Sequence, residues 1–482
     1  MATIERDRAG ESGTPRADPR RRPPGARDPL VLAGVFFALY TVLSVGRYRD
    51  LRTRSWDLGI FEQAVRSYAH LREPVADLKG PGFLILGDHF SPVTALLAPL
   101  YRIFPGPVTL LVAQAALFAL AVVPVTRIGV ARLGRARGLA LGVVFGLSWG
   151  VQQAVDFDFH EICFAVPLIA LALEALLRER WLAALAFAAP LVLVKEDLGL
   201  TTAAIALVVA LRARGRAPGA MRAACAVAVL GAAFCALTLT VLIPSFNNAG
   251  DYDYWTKLGE GGGGGGPLGA LLDGVGEKAR TLLWLLLPTS GLLALRSPLL
   301  LVALPTLGWR FVSHEPHYWG TEFHYSAVLM PVVALALVDA LADAERSPRR
   351  WVRDYARFLP AGLLGAALAL SPSLPVSGLT EAETWRPGAA ALAAERVLAT
   401  VPDDAEVAAN VRPIAQLTGR CRVFWIGDPN VPAPDYLAYH GPGMSPAGMV
   451  RRAGQLYPEA RYTVLAEGGG YFVLRRGGAP AP

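Results

Sequence analysis

The sequence predicts a mainly α protein: a polytopic bundle of transmembrane helices that carries a small extracytoplasmic α/β domain at its C-terminal end. Three observations carry this expectation. The 482 residues are 53% hydrophobic and only 18% charged, whereas a soluble domain averages about 25% charged. Mean hydropathy is +0.39, and the 49 Gly and 37 Pro suit membrane helices, which tolerate both. The net charge of +7 comes almost wholly from Arg, and the Arg residues sit at the ends of apolar runs. That placement belongs to membrane topology and not to a face that reads nucleic acid. Cys163, Cys225, Cys235 and Cys421 contain no CxxC pair, so no zinc site or disulfide framework is indicated.

Residues 1–28 are rich in Arg, Pro and Gly without an apolar pattern and read as a disordered cytoplasmic tail. The apolar run 30–46 lacks a small-residue cleavage site and ends in Arg47, Tyr48 and Arg49, so it reads as an uncleaved first helix. It opens a membrane domain over 29–371. Further runs at 107–126, 138–155, 162–177, 181–194, 198–211, 222–243, 281–295, 298–312, 326–341 and 357–371 bring the count to eleven spans. Arg127, Arg132, Arg135, Arg137, Arg178, Arg180, Arg212, Arg214, Arg216 and Arg346–Arg357 share one side, which the positive-inside rule makes cytoplasmic along with the N-terminus. The first outer loop, 47–106, breaks the rule with Arg47, Arg49, Arg52, Arg54, Arg66, Arg72, Lys79 and Arg102. An odd count places 372–482 outside. There a helical run at 389–399 precedes short strands at 406–409, 422–426, 436–439, 462–465 and 471–474, the last after the turn Gly468-Gly469-Gly470. No internal repeat suggests the inverted halves of a transporter.

All seven His and all four Lys fall on the predicted outer side, which points to a polar site at that membrane face. In the first outer loop, Leu58, Phe61 and Val65 share one face of a surface helix, with Glu62 and Arg66 spaced to pair at i, i+4. Asp57 begins that helix, where an N-cap is the ordinary role of an acid. The loop ends in Asp88-His89-Phe90-Ser91-Pro92 and a run at 93–104 too short to span. Asp156-Phe157-Asp158-Phe159-His160-Glu161 offers oxygen and nitrogen ligands to a divalent cation, or forms a solvated turn. Lys195-Glu196-Asp197 joins two apolar runs of 14 residues. Helices that short reach ~21 Å of a ~30 Å core, so the triplet should lie in a recess below the outer surface. The loop from Ser313 to Tyr325 mixes His, Glu and aromatic residues without strong zinc spacing, and the glycines of 261–266 read as a tether.

Trp56-Asp57-Leu58-Gly59-Ile60-Phe61-Glu62-Gln63, His89-Phe90-Ser91-Pro92 with Pro99-Leu100-Tyr101, Lys195-Glu196-Asp197 and His324-Tyr325-Ser326 resemble, in order, the membrane-protein family catalogued as domain of unknown function 2079. The resemblance spans about 30–476. The architecture is in turn similar to that of the C-type (GT-C) membrane glycosyltransferases, which have many spans, a long first outer loop and an acidic residue near its start. This resemblance implies transfer of a sugar from a polyprenyl-phosphate donor to a cell-envelope glycan or protein acceptor, with Asp57 as the general base. The paired acids of some of those enzymes are absent, since Leu58 follows Asp57. Inverting transfer needs a carboxylate to take the acceptor's proton and cations to stabilise the departing phosphate; the loop arginines and Lys195 are the expected cations. Gln63, Arg66, His89, Asp156, Asp158, His160, Lys195, Glu196, Asp197, His324 and Tyr325 are the expected substrate-binding residues, with a divalent cation as a further option. The alternatives are a non-enzymatic lipid- or polymer-binding membrane protein and a secondary transporter.

Overall fold

The computed structural model describes residues 25, 27–252, 254 and 266–478. Nearly all of the expected tail 1–28, the 261–266 tether apart from its last residue, and Lys257 lie outside the described residues. Each apolar run of the sequence falls on helix. Among the described residues, four helices are long and apolar enough to cross a membrane: Asp28–Arg49 (α1), Pro107–Leu133, the interrupted Arg135–Phe157, and Pro218–Phe246. Shorter apolar helices, Trp181–Leu193, Leu198–Ala213 and Pro298–Val312, accompany them. Large apolar side chains such as Val35, Leu207, Val229 and Leu230 face outward from these helices. An exposed apolar surface of that kind requires lipid to cover it. Helices Leu198–Ala213 and Pro218–Leu237 cross at paired glycines: a Cβ on Gly199 would stand 2.6 Å from the Gly231 carbonyl oxygen. Small residues at crossings are what let membrane helices approach closely.

The Arg-rich end of the bundle is closed by ion pairs. Glu174 accepts from Arg127 Nε at 2.7 Å and Arg178 Nε at 2.9 Å. Asp339 accepts from Ser297 Oγ at 2.6 Å and from Arg132 and Arg212.

At the C-terminus, helix Ala389–Leu398 precedes a five-stranded sheet of β1 (Glu406–Ala409), β2 (Arg422–Trp425), β3 (Tyr436–His440), β4 (Tyr462–Gly468) and β5 (Tyr471–Arg476). The strand order is β2-β1-β3-β5-β4, with β1 parallel to both neighbours and β5 antiparallel to β3 and β4. Helix Pro446–Leu456 was not foreseen, because only Met449 and Ala453 of it are buried and its apolar stripe is thin. Its start was legible: Ser445 accepts from the Gly448 N–H at 3.2 Å, and Pro446 occupies the first turn.

Helix Trp56–Ala69 (α2) corrects the expected membrane-surface helix. Leu58, Phe61 and Val65 pack into the bundle core, while Ile60 and Ala64 pack into the core beneath the sheet. It is a wedge buried on both faces. Gly59 permits this, since a Cβ there would collide with Ile414 and lie 3.0 Å from Leu78. Nor do Glu62 and Arg66 pair with each other among the described residues. Glu62 accepts from Tyr101 at 2.9 Å and from the Thr418 hydroxyl, and Arg66 donates to the Thr418 and Cys421 carbonyls at 3.2 and 3.0 Å. Docked backbone and hydroxyl groups outcompete the neighbour one turn away. Burial pushes the Glu62 carboxyl up to about 7, against the two hydrogen bonds that lower it.

Candidate active site

Ser55 precedes α2 in a left-handed conformation, φ 65°, and Asp158 follows helix Trp149–Phe157 at φ 140°. Both are costly for residues with a Cβ, at ~1–3 kcal/mol each. They support one another: the Ser55 N–H donates to Asp158 Oδ2 at 2.5 Å. Gln114 braces the same turn, donating to the Asp158 carbonyl and accepting from the His160 N–H at 3.0 Å. The result aims Asp57, second residue of α2, and His160 into one space. Ser55, not Asp57, is the cap residue, so the capping role expected of an acid here does not apply. Among the described residues no hydrogen bond or ion pair holds the Asp57 carboxylate.

That space is a cavity of about 250 Å³. Its polar wall combines Asp57, His89, His160, Lys195, Glu196, Asp197, His324 and Tyr325, and Lys79, Asp88, Tyr252 and Tyr254 complete it. Its apolar wall includes Leu198, Leu200, Leu239 and Val328. Leu200 is also exposed on the outside of its helix, so the apolar wall reaches the lipid-facing surface. Lys195 Nζ donates to Glu161 Oε1 at 3.1 Å, and His160 Nδ1 stands 2.6 Å from the other oxygen. His89 Nδ1 meets Glu196 Oε1 at 2.9 Å, with the Tyr254 hydroxyl 3.0 Å from its Nε2. The His160 and His324 rings stack with centroids 3.6 Å apart.

Burial raises the Asp57 carboxyl above its ordinary range, although His160 opposes the shift. Burial also raises Asp158, against the Ser55 N–H. Glu161 moves well down despite burial, because His160 and Lys195 hold it ionised. Burial and then the Glu196 charge raise Asp197 to about 6. Desolvation, with His160 and Lys195 nearby, drives His324 well down. Asp57, His160 and His324 each bring a ligand atom within 4.8 Å of the others, and the buried His324 Nδ1 has no hydrogen-bond partner among the described residues. Two imidazoles and a carboxylate form a donor set suited to zinc-class ions.

Four residues expected to bind substrate lie outside the cavity. Gln63 donates to the Val423 carbonyl at 2.8 Å and accepts from the Leu78 N–H, locking α2 to β2. Arg66 is taken up by the same docking. Asp156 pairs with Arg47 at 2.8 Å, and Asp158 supports Ser55 from behind the cavity wall. The loop arginines are likewise not aimed at a phosphate. Arg52 engages Asp50, Glu381 and Thr384, Arg54 lies 4.6 Å from the Phe323 ring centroid, and Arg49, Arg72 and Arg102 are exposed. Arg47, Arg52 and Arg66 thus fasten the loop to neighbouring segments, which accounts for their part of the break with the charge rule; of the loop's Arg and Lys residues only Lys79 lines the cavity. Tyr252 and Tyr254 were missed. The alternation Asp251-Tyr252-Asp253-Tyr254 beside the glycine run was their available signal.

A family model described as "Predicted membrane protein (DUF2079)" matches residues 47–473. No curated protein matches the chain. Among solved structures, ArnT from Cupriavidus metallidurans bound to undecaprenyl phosphate aligns with a TM-score of 0.53 at 13% identity, over 93% of this chain and 98% of that one. The same protein in the apo state aligns with a TM-score of 0.50 at 13% identity, over 92% and 97%. The helical bundle with its terminal sheet is thus the GT-C fold.

Proposed function

The chain belongs to the DUF2079 family of predicted membrane proteins, and on that footing we propose that it is an inverting glycosyltransferase that takes a sugar from a polyprenyl-phosphate donor. The observation that carries this reading is the cavity itself: an unengaged Asp57 carboxylate faces Lys195 and His89 beside an apolar wall that reaches lipid. A neighbour of the same fold was crystallised with undecaprenyl phosphate. In the proposed reaction the prenyl chain lies along Leu198, Leu200 and Leu239, and Asp57 takes the proton of the acceptor hydroxyl as its oxygen attacks the anomeric carbon. The sugar–phosphate bond breaks, and the phosphate leaves with the bond's electron pair toward Lys195 and His89. Of the expected substrate residues, His89, His160, Lys195, Glu196, Asp197, His324 and Tyr325 stay in this assignment. The N-terminus is assigned to the cytoplasm and the sheet domain to the outer side, because the Arg-rich end opposes the cavity end. Labelling a single cysteine at position 430 in intact cells supports that orientation; labelling only after permeabilisation overturns it.

A second reading rests on the Asp57, His160 and His324 cluster. A divalent cation held there would supply positive charge for the departing phosphate, and Asp57 would then be a ligand instead of the base. Elemental analysis of purified wild type and His324→Gln separates the two. One transition metal per chain, lost in the variant, assigns Asp57 to ligation, and absence of metal assigns it to proton transfer. The transferase reading is tested in membranes with a panel of labelled polyprenyl-phosphate sugars. Label moving to an envelope glycan or protein is the expected result; none moving from any donor favours a lipid- or polymer-binding protein.

A further inference from the structure

The order β2-β1-β3 with all three strands parallel makes β1 a point where the chain switches sides. The link from β1 to β2 carries Ile414 and Leu417 onto one face, and the link from β2 to β3 buries Val431 on the other. Connections that diverge in this way open a crevice beyond the carboxyl ends of the strands, where open α/β sheets bind ligands. Here the crevice is a cavity of about 540 Å³. Asn410, Arg412, Trp425, Tyr439 and His440 wall it from the strand ends, and Arg452 enters from helix Pro446–Leu456.

The chemistry of the lining is selective. It holds two guanidinium groups and an imidazole but no carboxylate, so it attracts an anion and offers the forked geometry that fits phosphate or carboxylate. Trp425 and Tyr439 add flat aromatic surface of the kind that packs on the apolar face of a sugar ring. Asn410 is a brace: its Nδ2 donates to the His440 carbonyl at 2.9 Å and its Oδ1 accepts from the His440 N–H at 2.8 Å. Arg452 bonds only Gln455, at 3.4 Å, among the described residues, which leaves its charge for a ligand.

The crevice also shares a wall with the membrane cavity. Trp425 meets Trp56 edge to face with centroids 4.9 Å apart, and Trp56 lines the cavity beside Asp57. Arg412 Nη1 donates to the Leu51 carbonyl at 3.0 Å, and Ser55 Oγ donates to the Arg412 carbonyl at 3.1 Å. The segment that positions Asp57 is therefore fastened to the crevice rim.

We infer that this crevice binds an anionic saccharide, a sugar unit bearing a phosphate or carboxylate. On the transferase reading, on which this last step rests, it is the docking site of the acceptor. The test uses the full chain purified in detergent, with glucose 1-phosphate, glucuronic acid, glucose and inorganic phosphate as probes, followed by tryptophan fluorescence and saturation-transfer NMR. At least one of the two charged sugars should bind about tenfold more tightly than glucose and than inorganic phosphate, and the pair shows whether phosphate or carboxylate is preferred. Arg452→Gln and Arg412→Gln should each weaken that binding at least about fivefold, with melting temperature unchanged in Arg452→Gln. Equal binding of glucose, equal binding of inorganic phosphate alone, or affinity unmoved in both variants overturns the inference. Asp57→Asn should leave this binding intact, so the crevice and the transferase reading fail separately.

Discussion

At the Arg-rich end of the bundle, Glu174 and Asp339 are buried carboxylates whose oxygens all meet guanidinium or hydroxyl donors. At the opposite end, one oxygen each of Glu196 and Asp197, together with His324 Nδ1, is buried without a hydrogen-bond partner among the described residues, and among the same residues none holds the half-buried Asp57 carboxylate. Leaving a buried polar group unmatched costs ~1–3 kcal/mol. A chain that saturates its ions at one membrane face and not at the other bears that cost where a ligand completes the set. The Arg-rich end therefore reads as structure, and the His- and Lys-rich end as chemistry.

The cavity end nevertheless contains one complete pair. Glu161 is fully buried and the Lys195 side chain is 12% exposed, and Lys195→Met leaves the buried carboxylate with His160 alone. Removing one partner of a buried pair costs ~3–5 kcal/mol, to be read as a fall in melting temperature in detergent. Adding Glu161→Gln should recover much of it; no recovery means that Lys195 supports the fold in another way. At the Arg-rich end, Asp339→Asn leaves Arg132 and Arg212 facing an amide. Those guanidiniums are 28% and 31% exposed, so water offsets part of the loss, and ~1–3 kcal/mol is expected with turnover per folded molecule unchanged.

Glu62 gives the pH dependence. Its folded-state value of about 7 lies above the ordinary 4.5, with Tyr101, Thr418, Arg66 and Tyr48 around it. The folded state then holds a proton that the unfolded state has released, so this group's contribution to stability falls as pH rises from 4.5 to 7 and is flat above. Glu62→Gln should remove that decline and stabilise at pH 8 by on the order of 3 kcal/mol. A melting-temperature profile of unchanged slope would remove Glu62 as its cause. The smallest effect belongs to Arg216, paired with Glu179 where both are mostly exposed. Arg216→Gln should leave melting temperature and activity at wild-type levels.

Much of this was legible in the sequence because periodicity and charge placement are local signals. The apolar runs fell on helices, and all five strands fell where β-branched and aromatic runs ended in turn residues. Lys195-Glu196-Asp197 was placed in a recess by the shortness of its flanking helices, and it lines the cavity with Asp57. What could not be read was which polar residues the C-terminal domain would claim. Gln63 and Arg66 sit on the same helix as Asp57, yet their partners Val423, Thr418 and Cys421 lie more than 350 positions away. No spacing within the first outer loop announces a docking surface supplied by the far end of the chain. The stacking of His160 on His324 was hidden because the two rings come from segments far apart in the chain.

On the proposed transferase chemistry the unengaged Asp57 carboxylate at the cavity end takes the proton, while the saturated carboxylates at the Arg-rich end hold the fold. Asp57→Asn tests it most directly, measured for sugar transfer and melting temperature in one preparation alongside wild type. The substitution keeps the shape at the second position of α2 and removes the proton acceptor. Transfer should fall by ~10²–10⁴-fold, the usual worth of a general base, while melting temperature holds. Transfer at the wild-type rate in a folded Asp57→Asn protein would contradict the account.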